Sequence, residues 1–176
     1  MPDIRQRVEE EQGILKKIQS FVPGFRGYRR REDLRDADRM LRGQLAQKLG
    51  AVRKALEDSR SLVVNSYNSK ELELLGGVIN QFKKVEGQVA HAEMGYSGFA
   101  ADIQVKEDEI YRLYDYDASM IDQVNSMHST VDVIRTSLAS GDSPQAQKDI
   151  MHMRLLINNF EEQFQRRLKV ITATEV

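Results

Sequence analysis

The chain has no cysteine, no tryptophan and only three prolines in 176 residues. Without cysteine there is no disulfide, no thiolate nucleophile and no cysteine-based zinc site, a composition suited to a reducing, cytoplasmic setting. So few prolines leave long segments with nothing to interrupt a helix. An excess of one charge is missing too. The 26 Lys and Arg against 27 Asp and Glu give a formal net charge of −1, so no whole-molecule field favours nucleic acid or an anionic membrane. Sequence-specific nucleic-acid binding is therefore not expected. No window approaches the roughly 20 apolar residues of a membrane span, and the opening MPDIRQRVEEEQG carries charge where a signal peptide needs an apolar run. A cytoplasmic protein without a transmembrane segment is expected.

What the sequence does have is apolar spacing of helical period. Ile150, Met153, Ile157, Phe160, Phe164, Leu168 and Ile171 follow one another in steps of three or four, which is one face of a helix. Before them, SGDSP offers Gly141 to end the preceding helix, Ser143 as an N-cap and Pro144 as the first helical residue. A second stripe uses Leu34, Ala37, Leu41, Leu45, Leu49, Val52, Leu56 and Val63. A third, capped by Ser69, runs through Leu72, Leu75, Ile79, Phe82, Val85 or Glu86, Val89 and Ala92. A fourth reads Ile110, Leu113, Asp117 or Ala118, Ile121, Val124, Met127, Val131, Ile134 and Leu138. The first helix, roughly 3 to 21, uses Ile4, Val8, Leu15, Ile18 and Val22 with Glu11 at a core step, and partial burial is expected of it.

No stretch sustains the two-residue alternation of a strand. The expected fold is all-α: an elongated antiparallel bundle of about five helices with coiled-coil-like packing, two or three of them longer than 30 residues. Residues 1–176 form one domain in this reading, with 169–176 as a frayed tail.

Two connectors share the pattern Gly-aromatic-x-Gly-aromatic, GFRGY at 24–28 and GYSGF at 95–99. Glycine can end a helix and a flanking aromatic can cover its last turn, so both read as helix-helix connectors. In an in-order antiparallel bundle the two would share one end, together with eight of the twelve aromatics: Phe21, Phe25, Tyr28, Tyr96, Phe99, Tyr111, Tyr114 and Tyr116. Two charge blocks meet there as well. Residues 24–42 carry seven arginines and four acids, and residues 102–122 carry seven acids against Lys106 and Arg112. Arginines at the start of a helix oppose its macrodipole, so an acidic partner is needed, and Asp117 near the fourth seam is a candidate acceptor for an arginine of the basic block. An aromatic, charged end of this kind suits partner binding. The residues singled out are Phe25, Arg26, Tyr28, Arg29, Arg30, Arg31, Tyr96, Phe99, Tyr111, Tyr114, Asp115 and Tyr116.

Catalytic chemistry finds little footing. There are three histidines, His91, His128 and His152, and the only carboxylate-x-x-His is Asp149-x-x-His152, short of the Glu-x-x-His pairs of a di-iron bundle. Neither a phosphate-binding Gly-x-x-x-x-Gly-Lys-Ser/Thr loop nor a Gly-x-Ser-x-Gly elbow occurs. No cofactor, metal site or catalytic residue is expected.

With PGFRGYRRREDLRDADRMLR and GYSGFAADIQVKEDEIYRLYDYD in view, the chain resembles an uncharacterised prokaryotic family of all-helical proteins with a Pro-Gly-x-x-Gly-Tyr start and a later Gly-Tyr-x-Gly-Phe segment. The resemblance implies that the two turns belong together and carries no activity. The functional expectation is a non-catalytic interaction or scaffold module with an unknown protein partner. Membrane-surface or phosphate-ligand binding through the Arg26–Arg42 block is the alternative, and a homodimer formed over a residual apolar stripe is open.

Overall fold

The computed structural model describes residues 4–27, 31–63, 69–92 and 107–172. Five α-helices account for nearly all of them: α1 (Ile4–Phe21), α2 (Arg31–Ser59), α3 (Lys70–His91), α4 (Glu107–Ser140) and α5 (Ser143–Thr172). The fold is all-α, as the apolar spacing predicts, and no strand occurs among the described residues. At 34 residues α4 exceeds 30; α5 has 30 and α2 has 29. No helix is long and apolar enough to cross a membrane among the described residues. The chain divides into two compact units, Met1–Gln44 with Glu93–Ile121 and Gln163–Val176, and Leu45–Ala92 with Asp122–Glu162. The residues of α2, α4 and α5 are shared out between them.

The second unit is a four-helix arrangement whose interior is the predicted stripe of each helix. Leu45, Leu49, Val52 and Leu56 of α2, Leu75, Ile79, Phe82, Val85 and Val89 of α3, Val124, Met127, Val131 and Ile134 of α4, and Ile150, Met153, Ile157 and Phe160 of α5 are all buried. Each contributes about 1.5–3 kcal/mol from apolar burial, far more than any surface pair. Polar contacts show the directions. Arg53 Nε lies 2.8 Å from Glu86 and Lys83 Nζ 3.7 Å from Glu57, so α2 and α3 run antiparallel. Glu71 meets Ser143 and Gln147, while Gln81 and Lys84 meet Glu161, so α3 and α5 run parallel. The short Gly141–Asp142 link folds α5 back along α4.

Helix ends explain where the stripes stop. Gly141, at φ +73°, ends α4 in the left-handed conformation its sequence suggests. The cap of α5 is Asp142, not Ser143: Asp142 Oδ1 accepts from the Gln145 amide at 3.1 Å. Ser143 is already the first residue of α5, and its hydroxyl donates to Glu71. Ser69 does cap α3, accepting from the Leu72 amide at 3.4 Å. Val63 falls beyond α2, after a 3₁₀ turn at Arg60–Leu62, and is only half-buried, so the stripe closes at Leu56. The buried Ser59 hydroxyl donates back to the Ala55 carbonyl at 2.7 Å, a bond that competes with helix continuation.

Glu71 is the polar junction of this unit. It is 9% exposed and accepts hydrogen bonds from Ser143, Ser69 (2.7 Å) and Gln147 (3.2 Å). The Ser143 hydroxyl first, then that of Ser69, hold its carboxyl down from 4.5 to about 2. Because folding depresses this pKa, the stability it confers is complete above 4.5 and is lost as pH falls through about 2. Glu71→Gln is expected to cost about 1.5–3 kcal/mol at neutral pH, the range of hydrogen bonds to a charged group. Urea denaturation across a pH series should show the gap between variant and parent closing between 4.5 and about 2.

Candidate functional site

The first unit contains the predicted GFRGY turn and the tyrosine-rich start of α4. Helix α1 ends at Phe21 because Pro23 follows, its last bond being Val22 N–H to the Ile18 carbonyl at 2.8 Å. Phe25 N–H then donates to the Val22 carbonyl at 3.1 Å, and Gly24 sits at φ +85°. Proline second and glycine third in a four-residue turn is the type II pattern. Gln19 Nε2 donates to the Phe25 carbonyl at 3.2 Å and ties the turn to α1. The chain next passes Gly27, at φ +93°, against α4: a Cβ there would lie 2.6 Å from the Tyr114 hydroxyl. Two constraints, backbone sign and contact distance, both require glycine at this position.

Of the residues singled out from sequence, Phe25 is 2% exposed and fills the interior instead of offering a surface. Arg26 and Asp115 are exposed, and Tyr111, Tyr114 and Tyr116 are half-buried. Tyr28, Arg29, Arg30, Tyr96 and Phe99, with the whole GYSGF turn, lie outside the described residues, as does the Arg31 side chain. Helix α1 is partly buried, as expected, with Ile18 at 0% and Val8 at 46% exposed.

Beneath the turn lies a cluster of buried charges. Arg167, Asp38 and Asp117 are each 0% exposed. The Arg167 guanidinium donates through Nε to Asp117 at 2.5 Å and through its terminal nitrogen to Asp38. The second Asp38 oxygen accepts from Arg42 Nε at 2.7 Å. In these contacts two arginines face two aspartates, and pairing of this kind makes the burial of ions tolerable. Asp117 does meet an arginine, Arg167 of α5, and Asp38 with Arg42 ties the basic block into the same network. The spacing also points to Leu168 as the core residue after Phe164. The structure buries Arg167 and leaves Leu168 half-buried, because Phe164, Arg167 and Ile171 make an equally regular stripe whose polar member an apolar count passes over.

Outside this core, α1 and α4 border a cleft of about 300 Å³. Its walls are Glu10, Glu11 and Ile14 of α1, and Asp108, Tyr111, Tyr114 and Asp115 of α4. Three of these, Tyr111, Tyr114 and Asp115, were singled out from sequence. The α1 acids were not, although Glu10, Glu11 and Ile14 share one face at the same three-to-four spacing. Among the described residues none of the four carboxylates Glu10, Glu11, Asp108 and Asp115 is ion-paired. Asp108 lies in the first turn of α4, where the macrodipole favours negative charge. The cleft is therefore acidic, and two tyrosines line it.

Histidines take no part: His91, His128 and His152 are exposed, and no group of three His, Cys, Asp or Glu able to hold a metal occurs among the described residues. Known proteins supply no analogue, since no family model, no curated protein and no solved structure matches the chain.

Arg167→Ala would leave Asp38 and Asp117 buried without their shared cation and is expected to cost about 3–5 kcal/mol, read from the urea midpoint. Gly27→Ala should lose about 1–2 kcal/mol from the backbone conformation alone and more from the Tyr114 contact. Adding Tyr114→Phe should recover the second part and not the first, a pattern that a double-mutant cycle resolves.

Proposed function

We propose that this chain is a non-catalytic, cytoplasmic protein-interaction module and that the α1–α4 cleft receives a basic segment of its partner. The observation that carries this reading is the pairing of four carboxylates, free of ion pairs among the described residues, with two tyrosines around one cleft. A lysine or arginine entering it would gain charge neutralisation at the rim and a cation–π contact with Tyr111 or Tyr114, worth about 0.5–2 kcal/mol. Ile14 offers an apolar wall for the aliphatic stem of the incoming side chain. Such an interface steers association by charge, so its affinity should fall as salt rises.

The alternative, a membrane surface or phosphate ligand held by the Arg26–Arg42 block, has less support. Arg42 turns its Nε inward to Asp38 and is 12% exposed, which subtracts one cation from the block, and Asp36 stands among its exposed residues.

Fluorescence anisotropy with a labelled peptide bearing lysine and arginine tests the proposal against a glutamate-bearing control. The basic peptide should bind in a salt-sensitive manner, and Asp108→Lys with Asp115→Lys should weaken it at least about tenfold, or 1.4 kcal/mol, with circular dichroism unchanged. Equal binding of the acidic control, or undiminished binding by the charge-reversed variant, sinks the reading. Binding only to vesicles of anionic lipid would favour the arginine block instead.

A further inference from the structure

We infer that a second, smaller pocket of the first unit, where the GFRGY turn meets the N-terminal half of α2, binds a small zwitterion: a free amino acid with a compact apolar side chain. The pocket holds about 170 Å³ and is bordered by Gly24, Arg26 and Gly27 of the connector and by Asp36, Ala37 and Met40 of α2. It shares no lining residue with the α1–α4 cleft, and its ligand is independent of that cleft's role.

On the connector side the lining has unpaired donors. After Pro23 the Phe25 amide reaches the Val22 carbonyl, whereas the amides of Gly24, Arg26 and Gly27 have no acceptor among the described residues. Gly27 is buried, and a backbone N–H in a buried residue without a partner is rare enough to call for a ligand or a water. The Arg26 guanidinium is exposed and likewise has no ion pair among the described residues. Its planar fork of donors matches a carboxylate.

Across the pocket stands Asp36, also exposed and without a partner among the described residues. Two opposite charges thus border one small space without joining each other. Inorganic phosphate would gain from Arg26 and be repelled by Asp36, and a simple amine would meet the reverse. A molecule carrying both a carboxylate and an ammonium group satisfies the two at once. The volume lies below the roughly 300 Å³ at which pockets for drug-sized ligands begin, too small for a nucleotide. Ala37 and Met40 supply an apolar wall. Met40 Cε stands 3.3 Å from where a Gly24 Cβ would be, so the thioether closes one side of the turn, and its flexibility lets it adapt to a short aliphatic side chain.

Isothermal titration calorimetry of the full chain with L-alanine, L-valine, L-leucine and L-methionine tests the inference. At least one should bind with a Kd of about 1 mM or tighter. Its N-acetyl and carboxamide derivatives, each lacking one of the two charges, should bind at least about tenfold more weakly, a comparison that needs no variant protein. Arg26→Gln should abolish detectable binding. Asp36→Asn should weaken the amino acid at least about tenfold and leave the N-acetyl derivative unchanged or tighter, with circular dichroism of both variants unchanged because both residues are exposed. Asp108→Lys with Asp115→Lys, which reverses charge at the α1–α4 cleft, should leave the affinity as it was. Absence of binding by all four amino acids overturns the inference. Equal binding of the N-acetyl derivative or of inorganic phosphate does so too, since it would mark a plain anion site. So does binding untouched by Arg26→Gln, or binding lost with the Asp108 and Asp115 changes, which would move the ligand to the other cleft.

Discussion

A guanidinium taken out of water loses far more solvation than any single hydrogen bond returns, and Arg167 is fully buried. It can stay there only because carboxylates from two other helices reach it, Asp38 from α2 and Asp117 from α4. This requirement disciplines the first unit. Whatever else α2, α4 and α5 do at this level, they must bring three particular side chains within hydrogen-bonding distance. The apolar residues around them, Leu41, Leu113, Ile121 and Phe164, supply the driving force for association but tolerate exchange among themselves. The ions tolerate none.

The consequence reaches the surface through α4. Asp117 is one turn beyond Tyr114 on the same helix, so fixing one fixes the other. Tyr114 in turn defines how close the connector can come: with its hydroxyl 2.6 Å from where a Gly27 Cβ would stand, the chain passes here as glycine, with positive φ. The VPGF turn then delivers Phe25 to the interior, 2% exposed, and hands the chain on toward α2. The aromatics of this region therefore divide by role. Phe25 is packing, while Tyr111 and Tyr114 are half-buried on the wall of an acidic cleft. That division cannot be read from residue type, which groups Phe25, Tyr111 and Tyr114 simply as aromatics.

Much of the architecture was legible because the apolar stripes are long. Leu75, Ile79, Phe82, Val85 and Val89 on α3, or Ile150, Met153, Ile157 and Phe160 on α5, fix helix, face and extent with no help from context. Ser69 and Gly141 were legible as helix boundaries because capping chemistry is local. What escaped depends on partners distant in sequence. Ser143 looks like the cap, yet Asp142 takes that place and the Ser143 hydroxyl reaches Glu71, 72 residues away. Arg167 looks like a surface cation until Asp38 and Asp117 are brought to it, and an apolar rule steps past it to Leu168. The cleft lay in between: Tyr111, Tyr114 and Asp115 stood out by type, whereas Glu10 and Glu11 acquire meaning only once α1 borders α4.

The acids of the first unit make the general point about charge. Asp38 and Asp117 are wholly buried and each is held by an arginine, so their charge is neutralised within the fold and offers nothing to a partner. Glu10, Glu11, Asp108 and Asp115 border an open cleft with no ion pair among the described residues, so theirs is available. A net charge of −1 averages both kinds and describes neither. Removing two arginines and two aspartates leaves the net charge at −1, so the locally negative face comes from where the four cleft carboxylates stand. The same subtraction removes Arg42 and Arg167 from the cations free to oppose it. Selectivity for a basic partner, as proposed, would thus arise from the placement of four carboxylates around one cleft and not from an excess of acid, which is why composition alone points to no partner at all.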